Sequence, residues 1–238
     1  MERSLPPVRT ARIAGALYLA VVLLSIYALG ALGGLVEAGD PAATTRNVAS
    51  EPGRLRLAVV ANLLATLCYI GVVGLLNELL KPVQPGISRL AVLFGIGGCI
   101  VSASTAALQL AAPALAAQSA AMAPSIHALM LVAARANSVG LTLFGCYCLL
   151  LGWLVFRSGF VPRLFGALLM LSGAAWLLGN LALLAEPRLA AQFLLIVGVA
   201  AIGEIVFTLW LLFRGVDAAR WHEAARARRQ DEPAPDGP

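Results

Sequence analysis

The chain has 238 residues, 60% of them hydrophobic and 12% charged, with a mean hydropathy of +0.87. A soluble domain is about a quarter charged and under half apolar, and one core cannot hide such a surplus behind polar surface. The solvent that remains is a bilayer. The formal charge of +5 comes from basic residues spread through loops and tail, without the clustered basic face of a nucleic-acid binder.

Six apolar runs exceed the roughly 18 residues that mark a membrane span: 13–36, 57–80, 90–115, 136–156, 162–184 and 191–213. All are rich in alanine, leucine and glycine, whereas barrel strands would alternate with a period of two. The expected fold is therefore all-α, a polytopic transmembrane bundle of six spans over residues 13–215. Residues 1–12, with Arg3, Arg9 and Arg12, superficially resemble the start of a signal peptide. The apolar run behind them, about 24 residues rather than 7–15, is too long for one and reads as a retained span. In the loop at 39–54, Asp40 before Pro41 predicts a short surface helix, ended by Pro52-Gly53. The tail, 216–238, is expected to extend the last span as a basic helix along anionic headgroups, RWHEAARARRQ, before EPAPDGP becomes disordered.

With six spans both termini share a side. That side holds twelve of the chain's 17 basic residues: Arg3, Arg9, Arg12, Lys81, Arg89, Arg157, Arg163, Arg214, Arg220, Arg226, Arg228 and Arg229. The other holds Arg46, Arg54, Arg56, Arg135 and Arg188. The bias places both termini in the cytoplasm, as expected of a multi-pass membrane protein.

No metal set, phosphate-cradling glycine loop or nucleophile elbow occurs, and no cofactor is expected. Cys68, Cys99, Cys146 and Cys148 all fall inside spans; the last two point to different helix faces, which is wrong for chelating one metal. Packing is the expected role of all four. Gly30 and Gly34 form a Gly-x-x-x-Gly pair that allows close helix approach. RIAGAL at 12–17 echoes RLFGAL at 163–168, and SRLAVLFG at 88–95 is a looser copy. A span that begins with an interfacial arginine and then packs tightly accounts for all three without a repeat.

Depth along each span separates the polar residues. At about 1.5 Å per residue, Glu204 lies about 3 Å to the cytoplasmic side of its span's midpoint. Ser25, Cys68, Tyr69, Ser102, Ser104, Thr105, Tyr147 and Ser172 share that level. A second layer lies about 9–14 Å toward the outside: Asn62, Gln109, Asn137 and Asn180, from four spans, with Arg135 slightly beyond. A carboxylate at mid-bilayer costs about 2.5–3.5 kcal/mol on insertion scales and is a functional candidate by default. It lowers that cost by holding its proton or by accepting hydrogen bonds, for which Tyr147 and Tyr69 are the expected donors. Arg135 is about 20 Å away along the normal and is expected to snorkel outward. The four amides form either an interhelical hydrogen-bond belt or the wall of an outward-facing polar cavity.

Several segments resemble the bacterial integral membrane family called domain of unknown function 4386. They are CLLLGWLVFRSGFVPRLFGALLMLSGAAWLL at 148–178, ARIAGALYLAVVL near the start, the GDPAATTRNV loop, LLKPV at 79–83, and the pair Gly203-Glu204. The resemblance covers about residues 10–215 and implies a compact multi-span helical membrane protein, with no reaction assigned. In similar proteins a histidine often precedes the CLLLG run, where this chain has Tyr147, so any proton-handling role of that histidine does not carry over.

Three functional readings follow. The first is a protein that binds or moves a small amphipathic or cationic molecule, or a lipid, through an outward-facing cavity that descends to Glu204. The candidate ligand-binding residues are Glu204, Tyr147, Tyr69, Asn62, Gln109, Asn137, Asn180 and Arg135. Membrane lipids are the expected partners, and a homodimer is in play because six spans are few for a lone transporter. The second is a structural or scaffold membrane protein in which Glu204 is a hydrogen-bond node. The third, an intramembrane enzyme with Glu204 as acid or base, lacks a kit: His127 and His222 are the only histidines, and neither lies at mid-membrane.

Overall fold

The computed structural model describes residues 5–37, 39–186, 188 and 190–230, with backbone alone at 120, 190–197, 199 and 200. Arg3 and the EPAPDGP end lie outside the described residues. The order is α1 (Pro7–Leu32), α2 (Pro41–Ser50), α3 (Pro52–Leu80), α4 (Pro85–Ala116), a 3₁₀ turn at Ala120–Met122, α5 (Ala123–Ser158), α6 (Arg163–Ala185), α7 (Ala190–Phe213) and α8 (Ala218–Gln230). No strand occurs among the described residues.

Among the described residues proline opens half of the α-helices. Pro7, Pro41, Pro52 and Pro85 each open a helix, where the missing N–H is no loss and the fixed φ suits the first turn. At α2 the Asp40 carboxylate also accepts from the Ala43 N–H at 2.8 Å, so this short helix starts as its sequence predicts. Its end differs: α2 stops at Ser50, and Pro52 begins α3 rather than closing a loop. Helix α5 begins 13 residues before the expected 136, because His127 and Arg135 interrupt the apolar run without interrupting the helix. The added turns carry Ile126 and Met130, which pack with Val48 of α2, Leu55 and Ala112 into a small cluster at that end of the molecule.

Five helices, α1, α3, α4, α5 and α6, are long and apolar enough to cross a membrane. Helix α7 has 24 residues, of which Ala201–Phe213 form the apolar part with described side chains. The six stand side by side in chain order, each packed on the next, and α7 returns to close the ring against α1. Large apolar side chains cover the outside, among them Leu29, Leu67, Leu93, Leu178 and Phe213, each well over half exposed. That surface fits lipid and not water.

Glycine sets the closeness of the helices. On the α5–α6 seam a Cβ added at Gly145 would lie 2.6 Å from Leu177 N, and one at Gly152 2.6 Å from Met170 N. From the other side Gly166 meets Phe156 N at 2.5 Å and Gly173 meets Leu149 N at 2.6 Å. Backbones approach this nearly only where side chains are absent. The Gly30–Gly34 pair forms no such seam. Space is open around Gly30, while Gly34 lies past the end of α1 at φ +78°, and Arg54 caps the Gly30 and Gly33 carbonyls at 3.2 and 2.9 Å.

The tail is a separate helix, not a continuation of α7. Gly215 turns the chain at φ +73°, and the Asp217 N–H donates to Phe160 O at 3.0 Å. Trp221 Nε1 donates to Leu79 O at 2.8 Å and Arg220 to Gly159 O at 3.1 Å. Helix α8 is thereby fixed across the ends of α3 and α5, opposite α2.

Candidate functional site

Helix α7 turns one face to the bundle: Glu204, Phe207, Thr208 and Leu211 are each 7% exposed or less, the i, i+3, i+4, i+7 positions of one stripe. Two glycine contacts place Glu204. A Cβ on Gly203 would lie 2.5 Å from Ser172 Oγ and 3.0 Å from Leu168 O, so glycine lets α7 sit directly on α6. A Cβ on Gly15 would lie 2.5 Å from Leu212 N, so α1 closes more tightly still from the other side. One turn beyond each contact stands a donor. Trp176, four residues after Ser172, donates from Nε1 to Glu204 Oε1 at 2.5 Å. Tyr18, three residues after Gly15, donates to Oε2 at 2.9 Å.

An aromatic cluster spreads from this carboxylate. Tyr18 meets Tyr69 edge-on at 5.8 Å between ring centroids, and Tyr69 meets Tyr147 at 5.8 Å and Phe144 at 5.2 Å. Phe144 in turn meets Trp176 at 5.9 Å. These separations and tilts suit aromatic quadrupoles. The rings come from α1, α3, α5 and α6 and surround the acid of α7, so the centre of the ring of helices is aromatic and, among the described residues, carries Glu204 as its carboxylate. Among the described residues no Lys or Arg pairs with it; the ion pairs formed are all at exposed ends, such as Arg54–Glu51 and Arg220–Asp217. Among the described residues the hydroxyls of Tyr69, Tyr147 and Thr208 are buried without a hydrogen-bond partner.

The site residues expected from the sequence fall into two groups. Glu204 is 7% exposed and faces the bundle, and Tyr69 and Tyr147 share its cluster, although neither tyrosine donates to it. In the outer layer Asn180 is fully buried and donates to Trp176 O at 2.8 Å, which ties that layer to the residue holding Glu204. Gln109 is 9% exposed, and the side-chain carbonyls of Gln109 and Asn180 have no partner. Asn62 and Asn137 are half-buried. No hydrogen bond joins any two of the four amides among the described residues, so they do not form a belt. Arg135 is exposed and donates to Leu183 O at 3.2 Å, away from the cluster. On the opposite side a small void with room for about one water lies between α3, α4 and α5, lined by Asn77, Ser88 and Tyr147 among apolar side chains. Ser88 Oγ donates to Asn77 Oδ1 at 2.7 Å beside it.

Tyr18 and Trp176 are the donors that depth along the spans misses. Helix α1 begins at Pro7 rather than 13, which moves its midpoint about 7 Å and brings Tyr18 to the level of the acid. The signal lay in the Gly15–Tyr18 spacing, which puts a hydroxyl one turn above a close crossing. Trp176 carries an indole donor that a search for hydroxyls passes over.

A family model described as "Domain of unknown function (DUF4386)" matches residues 13–215. An "Uncharacterized protein" of Archaeoglobus fulgidus is 30% identical over 77 residues, 32% of this chain and 44% of that protein. The match thus spans less than half of that relative's length. No solved structure matches the chain.

Proposed function

The chain belongs to the DUF4386 family, and from that premise we propose that it is a membrane protein that binds or moves a small amphipathic molecule or a lipid at Glu204. The observation that carries this reading is the inward carboxylate without a cationic partner, set among buried hydroxyls that lack hydrogen bonds. A purely structural node would be expected to satisfy its neighbours, since an unsatisfied buried polar atom costs about 1–3 kcal/mol. An occupant supplies those bonds. Gln109 and Asn180 offer free acceptors in the amide layer above the cluster. The outward-facing cavity is the route proposed through the amide layer.

The reading includes six spans in a bacterial inner membrane, with α7 as the sixth and both termini in the cytoplasm. The arginines at the α8 end support it. Arg157, Arg163 and Arg214 lie over the rings of Trp153, Phe156 and Trp210 at 5.4–5.8 Å, as cations and aromatics do at a membrane interface.

The experiment is Glu204→Gln, which keeps the shape and removes the charge. In cells, loss of a phenotype of the wild-type gene with abundance and folding intact supports the site; aggregation of the variant favours the node. For the route, single cysteines at 62, 109 and 180, in a chain whose native cysteines are replaced, should react with a water-soluble thiol reagent added from outside. Absence of labelling in the native state contradicts an outward cavity.

A further inference from the structure

The geometry points to a primary ammonium head group as the ligand of the Glu204 cluster, an assignment that rests on reading this cluster as a binding site. The first ground is charge. Glu204 is the acid at the centre, and the arginines on the helices nearest it are engaged elsewhere. Arg12 donates to Phe213 O at 3.5 Å, and Arg214 lies over the Trp210 ring at the helix end. A buried charge with no partner is strongly unfavourable, so an anionic ligand is rejected and a cation is drawn in.

The walls give the second ground. Five rings, Tyr18, Tyr69, Phe144, Tyr147 and Trp176, are linked by centroid separations of 5.2–6.3 Å. An aromatic face attracts a cation within about 6 Å, and an aromatic surround suits an organic cation better than an anion. A hard metal ion is the poorer fit, because calcium takes about 6–8 oxygens and magnesium about six in an octahedron. No group of three His, Cys, Asp or Glu side chains stands together among the described residues.

Hydrogen bonding separates one organic cation from another. A primary ammonium has three N–H donors and no acceptor. The carboxylate and the unpartnered hydroxyls of Tyr69 and Tyr147 supply three acceptors of two kinds from three helices. A trimethylated head has no N–H to give and would leave both hydroxyls orphaned. The same head group occurs on free amines and on aminophospholipids, and the chemistry of the site is common to both.

The protein in non-ionic detergent is to be melted with four probes of matched chain length: n-butylammonium, 1-butanol, butyrate and butyltrimethylammonium. A ligand of the folded state raises the midpoint in proportion to its occupancy. The expected result is a saturable rise with n-butylammonium alone, abolished in Glu204→Gln. Tyr147→Phe and Tyr69→Phe each weaken it about 5–10-fold, the loss of one hydrogen bond. An equal rise with 1-butanol or butyrate, or unchanged affinity in both tyrosine variants, overturns the assignment, and the tyrosine variants decide it should Glu204→Gln fail to fold. Stabilisation by 1-butanol that Glu204→Gln removes would sink the ammonium class and keep the binding site. No response to any of the four probes, together with a wild-type phenotype for a well-folded Glu204→Gln, would sink both. Nanodiscs distinguish the source. If the head group is lipid-borne, n-butylammonium stabilises the protein in phosphatidylcholine but not in phosphatidylethanolamine, where the site is already filled; a free amine acts in both.

Discussion

The α5–α6 seam and the centre around Glu204 are built with the same device and put to opposite uses. Along the seam Gly145, Gly152, Gly166 and Gly173 bring two backbones together and leave nothing between them. At the centre Gly15 and Gly203 bring α1 and α6 close to α7; Glu204 follows Gly203 directly, and its donors Tyr18 and Trp176 stand one turn beyond the crossings. The first is backbone packed on backbone. The second encloses a carboxylate with two donors and leaves three hydroxyls unmatched. Close crossing alone therefore does not define a site; what stands one turn away from it does.

The seam should break hardest. Gly152→Leu places a side chain where 2.6 Å is available against the Met170 backbone. It is expected to cost about 3 kcal/mol, the upper end for overpacking, read as loss of the monodisperse peak in detergent. Gly74→Ala, where nothing lies within 4 Å of an added Cβ, should leave that peak intact. If both variants behave alike, glycine is there for reasons other than close approach.

The centre should split its tyrosines. Tyr18→Phe removes a hydrogen bond to a carboxylate and should destabilise by about 1.5–3 kcal/mol, measured as a lower thermal midpoint without ligand. Trp221→Phe, which frees Leu79 O at the α8 junction, should cost about 1 kcal/mol and loosen α8 to proteolysis without touching the centre. Tyr147→Phe deletes a hydroxyl that bonds nothing, and the ligand-free midpoint should stay or rise slightly. Equal losses in Tyr18→Phe and Tyr147→Phe would mean that the two hydroxyls are used alike, and the contrast drawn here would fail.

What was legible in the sequence follows from the same contrast. Apolar length and charge placement mark the helices because lipid imposes them on every residue, and Gly203-Glu204 stands out because an acid there is penalised. The echo of RIAGAL and RLFGAL is explained by Gly15 and Gly166, each three residues after an arginine and each against a neighbouring backbone. Tyr18 and Trp176 were not legible as partners, because a hydrogen bond across a helix crossing depends on where each helix starts. Pro7 opens α1 six residues before its apolar run, and six residues exceed a helical turn. The early start of α5 was hidden likewise, since His127 and Arg135 lie on a helix that outruns the apolar slab.

Reaction of the membrane-embedded protein with a lipophilic carbodiimide, followed by mass spectrometry of the peptide that holds Glu204, bears most directly on whether that acid is a reachable site. Modification of Glu204 in the native state is the expected result. Native protein that stays unmodified at Glu204, while denatured protein reacts fully, would show a closed structural node and contradict it.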